Sequence, residues 1–143
     1  MVDVHVMCGI QGSGKTTLSK RIAINYDAAL YCYDALPKGH WNNDAHPSMY
    51  ERILQDLKEG KTVVCDDLNT TKERRQALLD ALCDVECKKV LHVMQTPLDV
   101  CLERNRQRDS NAGKLPDWAL LRCHDKYDPP SIDEGWDEII YHD

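Results

Sequence analysis

Phenylalanine is missing from all 143 residues, so Leu, Ile, Val, Met, Tyr and Trp must fill any interior. A chain of this length can bury a core of its own in one domain. A basic charge excess is missing too: the formal net charge is -6. Proteins that coat duplex nucleic acid are basic overall, so any nucleic-acid contact here is confined to a local basic cleft. No apolar run approaches the length of a membrane span, and the opening residues MVDVHVMC carry no basic signal-peptide segment. Repeats, low-complexity tracts and linkers are absent as well. The seven cysteines are odd in number and lack C-x-x-C spacing; Cys83 and Cys87, four apart, have no partners at metal-ligand spacing. They read as free buried thiols in a reducing cytosol rather than as a zinc site, and the expected location is cytoplasmic.

What is present alternates between strand and helix. Strands are expected over 2–8, 29–33, 62–65, 89–94 and 139–141. Helices are expected over 15–25, 49–59, 70–82, 97–108 and 116–126. Ser48 has the chemistry of an N-cap, Gly60 of a stop, and Thr70-x-x-Glu73 of a capping box. Thr96-Pro97 opens the fourth helix with Pro at its first position. Such alternation predicts an α/β fold, a parallel sheet of about five strands covered on both faces by βαβ units. In such sheets ligands bind at the carboxyl ends of the strands.

One octapeptide stands at such an end. Gly9 to Thr16 read GIQGSGKT, which fits G-x-x-x-x-G-K-[ST], between an apolar strand and a helix. Backbone N–H groups of Gly12, Ser13, Gly14, Lys15, Thr16 and Thr17 can cradle phosphate oxygens at a helix N-terminus. Lys15 places its charge on the β- and γ-phosphates of ATP, and the Thr16 hydroxyl ligates Mg²⁺. Asp34 follows the second strand, where a carboxylate can take the proton of an attacking hydroxyl. Asp66 and Asp67 end the third strand, where one or both can serve Mg²⁺ or the acceptor. Neighbouring strand residues point to opposite faces, so both need not face the site. Arg104 and Arg108 share one helix face ahead of a loop. They can act on the donor and on charge developing at the transferred phosphoryl. Lys38, His40 and Trp41, beyond Asp34, could touch an acceptor. Trp118 and Trp136 read as packing residues, and His5, His92 and His142 as isolated core or edge residues.

With GIQGSGKT, Asp34, DDLNTTKERR (66–75), LERNRQR (102–108) and PPSIDEGWDEI (129–139) in hand, nearly the whole chain resembles a known group. It is similar to the kinase domain of polynucleotide 5′-hydroxyl kinases, among the small P-loop kinases of zeta-toxin and nucleotide-kinase type. The resemblance implies one P-loop kinase domain over 1–143 with a lid at about 104–116, using ATP and Mg²⁺. It implies catalytic roles for Lys15, Asp34, Arg104 and Arg108. Thr16, Asp66 and Asp67 would lie at the metal, and Asp34, Lys38, Trp41 and Asp67 at the acceptor. The family often has Arg before the catalytic Asp, and phage members carry a second Arg three residues after it. This chain has Tyr33 and Pro37, with Lys38 adjacent. The acceptor that the resemblance implies is the 5′-OH of a polynucleotide or a nucleotide. The alternatives are a nucleoside, sugar or similar metabolite, or a nucleotide-binding module without transfer.

Overall fold

The computed structural model describes residues 2–32, 47–108 and 114–143. Five strands, β1 (Val2–Cys8), β2 (Ala29–Cys32), β3 (Val63–Asp66), β4 (Cys87–Met94) and β5 (Glu138–His142), pair in parallel in the order β2-β3-β1-β4-β5. The helices are α1 (Lys15–Asn25), α2 (Pro47–Lys58), α3 (Lys72–Leu82), α4 (Leu98–Arg106) and α5 (Asp117–Asp125), with a short 3-10 turn at Ile132–Glu134. The expected α/β architecture is the one observed, and β1 lies at the centre, so its C-terminal loop opens at mid-rim. Among the described residues no helix is long and apolar enough to cross a membrane.

Strand alternation divides the interior in two. Val4, Val6 and Cys8 of β1, Val63 and Cys65 of β3, and Leu91 and Val93 of β4 face α2 and α3. Those helices answer with Met49, Ile53 and Leu57, and with Leu78, Leu79 and Leu82, all at helical spacing, and Trp136 joins them. The residues between them on the strands, Met7 and Val64, meet Ile22 of α1 on the other face.

Several local expectations shift. The N-cap of α3 is Thr71, whose hydroxyl accepts from Arg74 N at 3.3 Å; Thr70 is buried instead, and the cap falls one residue later than the T-x-x-E pattern puts it. Pro97 precedes the first turn of α4 rather than starting it, and the Thr96 hydroxyl donates to the Ser13 carbonyl at 2.7 Å rather than capping the helix. Trp118 is 66% exposed, so it is not a packing residue, whereas Trp136 is buried. Not every cysteine is buried: Cys83 is exposed, and Cys32 and Cys123 are half-buried. The three strand histidines are not isolated. His5 Nδ1 lies 2.9 Å from His92 Nε2, and His92 Nδ1 lies 2.9 Å from His142 Nε2.

A buried ion pair ties α3 to the turn before β5. Arg75, fully buried, makes two bonds to Glu134 at 2.9 and 3.0 Å and a third to the Asn69 carbonyl at 3.0 Å. Trp136 Nε1 donates to the same Glu134 at 3.0 Å. With its charge paired and each of its three nitrogens bonded, Arg75 can occupy the interior.

Candidate active site

The loop from Gly9 to Gly14 joins β1 to α1 and is braced from three sides. Gly9 N donates to the Leu68 carbonyl at 2.9 Å, Asn69 Nδ2 donates to the Met7 carbonyl at 2.9 Å, and Thr96 holds the Ser13 carbonyl. Gly12 must be glycine. Its φ is +81°, and a Cβ there would stand 2.5 Å from the Cys101 carbonyl of α4. Gly14, at φ +96°, is the N-cap of α1 without a side-chain cap, so the first N–H groups of that helix stay available to an anion. The loop is thus fixed before anything binds.

Around this cradle the structure gathers several of the expected residues. Thr16 Oγ1 donates to Asp66 Oδ2 at 2.9 Å, linking the first turn of α1 to the end of β3. Asp66 is buried, while Thr16 and Thr17 are exposed at the helix start. A hydroxyl and a carboxylate oxygen side by side are the hard donors that Mg²⁺ takes, so the pair fits that ion. Asp67 turns the other way. Its Oδ2 accepts from Arg74 at 2.7 Å and its Oδ1 from Leu68 N at 2.7 Å. The adjacent carboxylates therefore divide between α1 and α3, as the alternation of a strand end requires. Lys15 Nζ donates to the Ile10 carbonyl at 3.3 Å, within the loop. Behind Asp66, burial and then the charges of Asp67 and Asp66 push the Cys65 thiol up to about 12, which keeps it a neutral packing group.

Arg104 reaches the loop from α4, donating to the Gly12 carbonyl at 3.2 Å. It lines, with Arg108 and Thr17, a cleft of about 700 Å³ that runs from Gly12–Gly14 to the ends of β4 and β5. The base of the expected lid is pinned on both sides: Asn105, fully buried, exchanges two hydrogen bonds with the Leu115 backbone, at 2.7 and 3.0 Å. Arg106 pairs with Asp117 at 2.7 Å across the same gap. Asp34, Lys38, His40 and Trp41 lie outside the described residues, as does the 109–113 part of the lid. The last described residue of β2, Cys32, is the register partner of Asp66.

Sequence reasoning missed Asn69, Thr96 and Asn105. Each acts on a backbone group distant along the chain, so spacing carried no sign of it. The polar residue types in loop and helix-end positions were the only hint.

A search of the curated proteins returns no match. Among solved structures, the chain is similar to a sugar kinase from Janibacter sp. HTCC2649 (TM-score 0.78, 16% identity, covering 100% of this chain and 86% of that one). It is similar to a fungal RNA kinase (TM-score 0.75, 18% identity, 99% and 74% covered). It is also similar to a gluconokinase from Sinorhizobium meliloti 1021 (TM-score 0.68, 19% identity, 97% and 81% covered). At these identities the likeness is one of fold, that of the P-loop NTPases. A family model described as an AAA domain matches residues 4–130, and the chain belongs to that family.

Proposed function

We propose that the protein is an ATP- and Mg²⁺-dependent kinase that transfers the γ-phosphate to a hydroxyl, the 5′-OH of a polynucleotide or nucleotide. The observation that carries this reading is the 2.9 Å contact between Thr16 and Asp66 beside a preformed phosphate loop. A bare anion site needs no carboxylate at that position, whereas a metal-bound triphosphate does. Mg²⁺ held by Thr16 and Asp66 would neutralise charge on the β- and γ-phosphates. Lys15 adds a fixed positive charge on the same oxygens. Arg104 and Arg108 stabilise the negative charge spread over the phosphoryl group in flight. Asp34, two residues beyond Cys32, accepts the proton as the substrate hydroxyl forms its bond to phosphorus and the bond to the β-phosphate oxygen breaks. Asp67, balanced by Arg74, belongs to the acceptor side together with Lys38 and Trp41.

A second reading, a kinase of a sugar, nucleoside or similar metabolite, is favoured by the net charge of -6 and by Tyr33 and Pro37 in place of arginines. The similar solved structures include a sugar kinase, a gluconokinase and an RNA kinase, so they do not choose between the two. Labelled-ATP transfer to 5′-OH oligonucleotides, mononucleotides and a sugar panel separates them. An oligonucleotide preference supports the first reading. Equal labelling of a mononucleoside lacking a 3′-phosphate supports the second. Asp34→Asn separates transfer from mere binding: kcat should fall with ATP affinity nearly unchanged.

A further inference from the structure

Three histidines run diagonally across the sheet, and the hydrogen-bond order along the row has a consequence at the cleft. His92 pairs in register with Met7, two residues beyond His5 on β1, and His142 pairs with Met94, two beyond His92 on β4. Each step therefore climbs toward the carboxyl rim. The ring centroids are 5.1 Å apart at each step, and the contacts join Nδ1 of one ring to Nε2 of the next. His5 and His92 are buried, His142 is half-buried, and His142 stands in the wall of the 700 Å³ cleft that begins at the phosphate loop. Successive rings bond edge to edge, so their lone pairs do not converge on one point. Among the described residues no group of three or more His, Cys, Asp and Glu side chains is placed to hold a metal ion.

A row of neutral imidazoles has two polarities, because each ring carries one N–H and one lone pair. In the first, every ring is protonated at Nε2: His142 donates to His92, His92 donates to His5, and His5 Nε2–H points away. In the second, every ring is protonated at Nδ1, and His5 Nε2 is left as a bare lone pair. The far end decides between them. His5 Nε2 is buried, has no hydrogen-bond partner, and lies 3.9 Å from Asp3 Oδ2. An N–H dipole aimed at a carboxylate is favourable there, and a lone pair aimed at it is not. Burial keeps all three rings neutral, His92 most strongly, at about 4. The row is therefore set with Nε2–H throughout, and His142 Nδ1 is an acceptor. Among the described residues that atom has no protein partner.

The cleft itself fits the nucleoside half of the donor. The carboxylate and hydroxyl that fit the metal stand on the β3 side of the phosphate loop, so the triphosphate end points there. The rest of a nucleotide bound this way would extend along the cleft to the opposite side, toward the ends of β4 and β5. We infer that His142, held in its Nε2–H tautomer by His92, His5 and Asp3, reads the base of the donor nucleotide. Its Nδ1 accepts a hydrogen bond from the exocyclic amino group of adenine. The inference rests on the cleft being the ATP site. His142 is the contact residue; His92, His5 and Asp3 are positioning residues.

The test compares the affinity of Mg²⁺·ATP with that of purine riboside triphosphate, which differs by the missing 6-amino group. It uses the wild-type chain, His142→Phe and Asp3→Asn, with ¹⁵N NMR of the histidine tautomers in the free protein. The wild type should prefer ATP by about tenfold, which is one hydrogen bond of about 1.4 kcal/mol. His142→Phe should bind the two equally, near the wild-type affinity for the deaminated analogue, and His142→Gln, which keeps an acceptor, should recover part of the preference. Asp3→Asn should narrow the preference while populating Nδ1–H at His142. Equal wild-type affinities, or His142 protonated at Nδ1 in the wild type, would overturn the inference and leave the donor site standing. Failure of both nucleotides to bind would overturn the donor site itself, and the inference with it.

Discussion

On the face of the sheet beneath α2 and α3, Val4, Val6, Val63, Leu91 and Val93 belong to one apolar cluster with side chains of those helices and Trp136. On the face beneath α1 the alternate strand positions hold Met7 and Val64, but also His5, His92, His142 and Asp66. The same strands supply both faces, one residue apart. The first face is where burial of apolar surface holds the chain together. The second is polar because it ends at the phosphate loop and the cleft. Its buried polar groups are kept in place by bonding to one another.

The comparison can be broken most forcefully at the seam of the apolar face. Arg75→Ala leaves Glu134 buried without its charge partner, and should cost about 3–5 kcal/mol in urea unfolding. Arg75→Met combined with Glu134→Gln should recover much of that loss. A loss under about 1 kcal/mol in Arg75→Ala would mean that water already reaches Glu134. Leu91→Ala, in the middle of the same face, should cost about 2–5 kcal/mol by the same measurement, through lost transfer energy and a cavity.

The histidine face should respond to acid at higher pH than the seam of the apolar face, where burial raises Glu134 but the bonds from Arg75 and Trp136 outweigh it and hold the carboxyl below its usual range. Burial, with the neighbouring His5 and His142, holds His92 at about 4 against an ordinary 6.5. His5 and His142 are lowered too, both first of all by burial. Asp3 and Glu138 oppose the shift at His5, and Lys88 adds to it. The unfolded chain takes up protons near pH 6.5 and the folded one resists them. Stability should thus be fully present above 6.5 and decline as pH falls toward about 4. His92→Leu should flatten that decline in melts recorded across this range. An unchanged slope would show that other groups carry it.

The two faces were unequally legible in the sequence. Apolar runs and helical spacing located the strands and helices, and GIQGSGKT located the loop, because these signals lie within one stretch of chain. Asp66 and Asp67 could not be told apart, since their facing depends on where β3 ends against α1 and α3. The histidine row was invisible for the same reason. His5, His92 and His142 meet only once β4 lies beside β1 and β5 beside β4, an order no local pattern encodes. Arg75 and Glu134 likewise stand 59 residues apart. The capping pattern at Thr70 failed by one position, because Thr71 offers the same hydroxyl one residue closer to the first turn.

The central claim is that the polar rim holds Mg²⁺·ATP between Lys15, Thr16 and Asp66 and passes on its γ-phosphate. Its most direct test is transfer of γ-labelled phosphate to hydroxyl acceptors by the wild type, Lys15→Ala and Asp66→Asn, with circular dichroism to verify folding. The account predicts wild-type labelling of an acceptor, and a fall of about 10²–10³ in rate for each folded variant. Wild-type rates in both variants, or a wild-type chain that neither binds Mg²⁺·ATP nor labels any acceptor, would contradict it.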